Sequence, residues 1–252
     1  MTAAPSLIVT RPEPEATRWT ESLRTRGIAA HALPLIEIAP LAGAIAWPVD
    51  ALPQALMFVS AAAVRHFFGA GPPAAIAACR CWATGPGTAR ALAEAGVDAA
   101  RIDQPTAEGP FDSESLWARV HGRVRQGVCV WLVRGADAQG RAAGRDWLSR
   151  QIEAAGGAAV QLPVYRRLVP TLDEAGVRIV RVGIAGGSIW LFSSSEAVSN
   201  LRALASWADW SRATALATHE RIAQAARDAG FGAVRVVAPD LDAVAASIEF
   251  PR

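Results

Sequence analysis

The residues in this chain whose types and spacing can do chemistry sit in short turns after apolar runs. Ser60 follows ALMFV, and Ser193, Ser194 and Ser195 follow IWLF. Each turn opens a stretch with helical spacing. A helix start offers unpaired N–H groups and the positive end of the helix dipole to an anion. Serine is also a favoured N-cap, so capping alone accounts for the residue type. Arg11 and Arg134 stand in matching contexts, VTRP and LVRG, at the ends of apolar runs. Paired arginines suit a carboxylate, which the planar guanidinium grips with two parallel bonds. A surface arginine capping a neighbouring helix fits the same pattern. The loop after Arg134 adds Arg141 and Arg145, either closing over an anion or simply solvated.

The stretch CWATGPGTARALAEAG (81–96) resembles a phosphate loop, with Gly85, Pro86 and Gly87 in a tight turn and Thr88 free to cap or to bind. It lacks the lysine of GxxxxGK[ST] and the spacing of GxGxxG. Its later counterpart, Thr218-His219-Glu220, has no glycine. A helix entrance aimed at an anion suits both copies better than a nucleotide loop. Tyr165 is the single tyrosine. A phenol there can donate a proton or hydrogen bond to a departing hydroxyl, or pack as an amphipathic side chain. His219 can serve as acid or base near neutral pH, or cap its own helix. Asp112 and Ser113 read as a cap. Cys79, Cys81 and Cys129 form no CxxC, which argues against a disulfide framework or zinc ribbon and points to a reducing compartment. The four histidines give no metal spacing.

The elements that must position these residues alternate. SLIVT (6–10), ALMFVS (55–60), VCVWLV (128–133) and SIWLFS (188–193) are compact apolar runs, each followed by helical periodicity. Strands apolar throughout and alternating with helices indicate parallel sheets covered on both faces. An internal repeat sharpens this. FVSAAAV (58–64) matches FSSSEAV (192–198), and ATGPGTARALAEAG (83–96) matches ATHERIAQAARDAG (217–230), both at an offset of 134. VWLVRG (130–135) instead echoes LIVTRP (7–12), and LPVYRR (162–167) echoes LPLIEI (33–38). One domain is therefore inserted into another: 37–169 within a discontinuous domain of 1–36 and 170–252. The crossing segments 36–41 and 164–170 can pair as a two-stranded ribbon hinge. The expected fold is α/β, two flavodoxin-like parallel-sheet domains, with ligand bound in the cleft between them.

A net charge of +2 offers no nucleic-acid footprint. No apolar run approaches the roughly 20 residues that cross a bilayer, and the start lacks the basic and apolar regions of a signal peptide. A soluble, cytoplasmic protein is expected.

Taken together, VTRP (9–12), LPLIEIAPL (33–41), FVSAAAV (58–64), GPGTARALAEAG (85–96), DSESL (112–116), RG (134–135) with GRDWL (144–148), and LPVYRR (162–167) resemble the uroporphyrinogen-III synthase family along nearly the whole chain. The resemblance implies two flavodoxin-like domains joined by a β-ribbon. It implies cyclisation of hydroxymethylbilane, a linear tetrapyrrole bearing acetates and propionates, to uroporphyrinogen III. The last ring is inverted and water is lost, through an azafulvene and a spiro-pyrrolenine, with no metal or organic cofactor. Tyr165 matches the family's tyrosine in VYRR, Thr88 the threonine of its G-x-x-TA turn, and Ser193 and Ser194 its strand-end pair. Arg11, Ser60, Gly85, Arg134, Ser195, Thr218 and His219 complete the expected substrate contacts. The second G-x-x-TA turn is altered to THERIA. A monomer is expected, with handover from the enzyme that forms hydroxymethylbilane. The alternatives are a related protein that binds a tetrapyrrole or another polycarboxylate without turnover, and a two-domain sugar- or nucleotide-binding module.

Overall fold

The computed structural model describes residues 5–106 and 111–249. In chain order the elements are β1 (Ser6–Val9), α1 (Glu15–Arg24), β2 (Ala30–Ala32), β3 (Glu37–Pro40), β4 (Ala55–Phe58), α2 (Ala61–Gly69), β5 (Arg80–Ala83), α3 (Pro86–Glu94), β6 (Ile102–Asp103), α4 (Ser113–Val120), β7 (Cys129–Ala136), α5 (Trp147–Ala154), β8 (Ala158–Leu168), α6 (Glu174–Ile184), β9 (Ser188–Phe192), α7 (Ser195–Leu204), β10 (Thr214–Ala217), α8 (Glu220–Asp228), β11 (Ala233–Val236) and α9 (Leu241–Glu249). The chain divides into two units, Met1–Glu37 with Leu168–Arg252, and Ile38–Arg167.

The discontinuous unit holds a five-stranded sheet in the order β11-β10-β9-β1-β2. Its pairings are parallel. Counted along the chain this is the flavodoxin order 2-1-3-4-5. The inserted unit has the order β3-β8-β7-β4-β5-β6. By the sequence repeat, β4, β5 and β6 correspond to β9, β10 and β11, while β7 and β8 correspond to β1 and β2. The two sheets then have one spatial order, which the inserted chain enters at its third position. Register confirms the equivalence. Ala55 lies opposite Val130 as Ile189 lies opposite Leu7. Phe58 faces Ala83 as Phe192 faces Ala217. Val130 faces Ala159 as Leu7 faces Ala30. The crossing segments do form a ribbon: β3 lies beside the long strand β8, and Arg166 Nε donates to the Pro40 carbonyl at 3.1 Å.

Successive strand residues point to opposite faces, and here both faces are buried. In the inserted unit Leu56, Phe58, Trp131 and Val133 share one core with residues of α2 and α3. Ala55, Met57, Val130 and Leu132 face the other way, toward Leu116 and Val120 of α4 and Leu148 and Ile152 of α5. In the discontinuous unit Leu7, Val9, Ile189, Leu191 and Leu216 form one core with Leu23 of α1 and Val244 of α9. Trp190 and Phe192 point to the opposite face and meet Trp210 and Phe231. Because β1, β2, β9, β10 and β11 run parallel in one sheet, and β4 to β8 in the other, the carboxyl ends of each set collect along one edge, where the helices begin.

Candidate functional site

The expected site residues gather at these carboxyl edges, each in its own unit. In the inserted unit, Ser60 follows β4, Gly85 and Thr88 start α3, Arg134 ends the straight part of β7, and Tyr165 lies on β8. The turns after β4 and β5 are adjacent, since Thr84 Oγ1 donates to the Val59 carbonyl at 3.3 Å. Thr88 is buried in the first turn of α3, its N–H bonded to the Gly85 carbonyl at 3.1 Å.

Ser60 and Tyr165 are brought together. Ser60 Oγ accepts from Ala63 N at 3.2 Å, capping α2, and lies 3.2 Å from Tyr165 Oη. Tyr165 is 0% exposed. Its ring stacks on His66 of α2, with centroids 5.4 Å apart. It also presses on the bare Cα of Gly135, where a Cβ would fall 2.7 Å from Tyr165 Cε2. The β7–β8 register shifts between Arg134 and Gly135, and that irregularity sets the tyrosine opposite the glycine. Nothing in residue spacing marks His66 or Gly135 for this role; both follow from the register.

Burial and the charge of Arg65 hold the His66 pKa below its ordinary value. The folded state therefore takes up this proton at lower pH than the unfolded chain does. Stability from this group is complete above about pH 6.5 and falls as pH drops through that value toward the folded pKa. Urea unfolding at pH 7.5 and 5.5 should show the protein losing stability relative to His66→Gln on acidification. Parallel losses in both proteins contradict the assignment.

Arg134 is 5% exposed. Its Nη1 donates to Gln161 Oε1 at 2.9 Å and lies 3.5 Å from Asp146, and its Nη2 donates to the Arg145 carbonyl at 3.3 Å. Gln161 in turn donates to Ser149 Oγ at 2.6 Å. Burial lowers the Arg134 pKa, with Asp146 pulling the other way. The loop arginines are also partnered: Arg141 with Asp137 at 3.0 Å, and Arg145 with Glu114.

Arg11, the counterpart of Arg134, lies over the Trp19 ring at 4.0 Å from its centroid, a cation–π contact. Burial lowers its pKa to about 10, which leaves it charged at neutral pH. The Nε atoms of both arginines are buried without a hydrogen-bond partner. On the strand beside β1, Ser193, Ser194 and Ser195 are half-buried at the start of α7, and Ser194 gives that helix no side-chain cap. Thr218 N donates to the Phe192 carbonyl at 3.0 Å, which sets the next turn beside the serines. His219 caps α8, its Nδ1 accepting from Arg221 N at 3.1 Å. Capping is thus the one of its two expected roles that the geometry displays. Asp112 likewise caps α4.

Among the described residues, no group of three or more His, Cys, Asp or Glu converges as a metal site, and no helix is long and apolar enough to cross a membrane. The model of the family described as "Uroporphyrinogen-III synthase HemD" matches residues 17–245. The chain belongs to this family. Uroporphyrinogen-III synthase of Chlorobaculum parvum is 27% identical over 177 residues, 67% of this chain and 66%, just under two thirds, of that protein. The fold is similar to a mutant uroporphyrinogen III synthase from the extremely thermophilic bacterium Thermus thermophilus (TM-score 0.56, 18% identity, 98% of each chain). It is also similar to uroporphyrinogen-III synthetase from Helicobacter pylori 26695 (TM-score 0.63, 13% identity, 98% of this chain and all of that one). Family membership agrees with the expected fold, two flavodoxin-like α/β domains.

Proposed function

We propose that the protein is a uroporphyrinogen-III synthase: a cofactor-independent lyase that closes hydroxymethylbilane to uroporphyrinogen III, inverting the last ring and expelling water. The observation that carries this reading is the turn after β9. Three half-buried serines lead a helix whose N-terminus has no side-chain cap, on the strand next to Arg11, whose buried Nε has no partner. An unmatched buried donor after the strand next to a helix start that lacks a side-chain cap suits a carboxylate ligand. The inserted unit, taken by itself, offers a related set in Gly85, Thr88 and Arg134, the kind of donors that an acetate or propionate side chain calls for. The enzyme's work is then chiefly positioning, favouring the inverted closure over the spontaneous unrearranged one. It must also supply a proton so that hydroxide leaves as water, and we take Tyr165 as the source of that proton. A soluble cytoplasmic monomer receiving substrate from the hydroxymethylbilane-forming enzyme fits this reading.

The full burial of Tyr165 favours a second reading, in which a tetrapyrrole or other polycarboxylate is bound without turnover. One assay separates them. Freshly made hydroxymethylbilane is incubated with the protein, oxidised, and its isomers resolved. The expected result is the type III isomer, formed faster than buffer closes the ring. Type I alone at the buffer rate removes the enzyme reading, and saturable binding in the same sample then supports the second.

A further inference from the structure

The two bonded hydroxyls of the inserted unit differ in exposure. Tyr165 is 0% exposed, whereas Ser60 is half-buried at the carboxyl edge of the sheet. A ligand at that edge meets Ser60 before Tyr165. Resting on the enzyme reading above, we propose that Ser60 is the catalytic residue that protonates the leaving hydroxyl, and that Tyr165 refills it from behind.

The inventory of Ser60 Oγ supports this. A hydroxyl has one proton and two lone pairs. One lone pair takes the Ala63 N–H at 3.2 Å, and the other is within reach of Tyr165 O–H at 3.2 Å. In the relay Tyr165 donates across this contact, which occupies the second lone pair and leaves the Ser60 proton to point toward a ligand. A hydroxyl that accepts twice is also polarised into a stronger donor. As the substrate C–O bond breaks, its electron pair goes to the departing oxygen, which takes the Ser60 proton and leaves as water. Ser60 takes the Tyr165 proton in the same motion. The resulting phenolate is held by the Ser60 O–H and by the N-terminus of α2. The hydrogen lost when the inverted ring becomes aromatic returns along the same path, so nothing is consumed. His66 and Gly135 keep the ring in line by stacking and close packing.

The experiment measures kcat and KM for type III formation in the wild type, Ser60→Gly, Ser60→Thr, Tyr165→Phe and the Ser60→Gly/Tyr165→Phe double variant. Glycine removes the hydroxyl yet still starts a helix well, so folding survives; threonine keeps both hydroxyl and cap. The expected result is a kcat loss of about 100-fold in Ser60→Gly with KM little changed. Ser60→Thr should recover most of it, and the double variant should be no slower than the worse single. An active wild type whose Ser60→Gly variant keeps its kcat, or a double variant whose losses multiply, overturns the relay and leaves the enzyme reading standing. A wild type that forms only type I overturns both.

Discussion

Trp190→Ala should destabilise the discontinuous unit by about 3–5 kcal/mol, the usual cost of emptying a buried tryptophan site. Trp190 is 0% exposed on β9, the middle strand of its sheet. It stacks on Phe192 at 6.1 Å and meets Trp210 edge-on at 5.4 Å and Phe231 at 6.3 Å. On its other contact, α6 comes close because residue 183 is glycine: a Cβ there would lie 2.5 Å from Trp190 Cζ2 and 2.9 Å from the end of Ile8. This contact gives the prediction a sign reversal. In the native background Gly183→Ala gains about 1 kcal/mol of helix propensity but overpacks a rigid indole at about 1–3 kcal/mol, so it should destabilise. Once Trp190 is alanine, the indole clash is gone and only the flexible end of Ile8, which a side-chain rotation relieves, stays close, so the propensity gain remains and Gly183→Ala should stabilise. Urea midpoints of the four proteins read this coupling directly. Additive midpoints would mean that Trp190 and Gly183 are not in contact.

The coupling rests on register, and register was largely legible in the sequence. FVSAAAV against FSSSEAV aligns β4 with β9, and the structure gives their partners equivalent places, Val130 beside Ala55 and Leu7 beside Ile189. The echo of LIVTRP in VWLVRG also showed that the inserted sheet is entered at a different strand. Repeats reveal this because backbone pairing depends on position along the strand, which a duplicated sequence preserves. Side-chain environment does not travel that way. Arg11 and Arg134 share a sequence context, yet one lies on Trp19 and the other is wrapped by Gln161 and the 137–146 loop. Those partners lie on different elements and have no common spacing. Tyr165 was legible as a hydroxyl near the crossing strands. Its burial was not, because it depends on the register shift that sets it against Gly135. For His219 the sequence left capping and acid–base roles open, and the structure adds the Arg221 N–H contact of a cap.

Under the proposed function, Tyr165→Phe should separate chemistry from packing. Phenylalanine keeps the ring against His66 and Gly135, and Ser60 Oγ still accepts from Ala63 N, so the cap of α2 persists. The structural loss is one hydroxyl–hydroxyl bond, about 1 kcal/mol, too little to unfold a domain of this size. The catalytic loss should be far larger. Hydroxide leaves carbon poorly, and removing a positioned proton donor typically costs about 100- to 10,000-fold. Because Tyr165 is fully buried and acts through Ser60 in this proposal, the loss should fall on kcat while KM stays near its native value. Spontaneous closure continues regardless, so the product should drift toward the type I isomer as the catalysed route slows, and the isomer ratio reports the defect independently of the rate. Full rate and an unchanged isomer ratio in a stably folded variant would make Tyr165 a packing residue and return the proton to a donor elsewhere on the carboxyl edges.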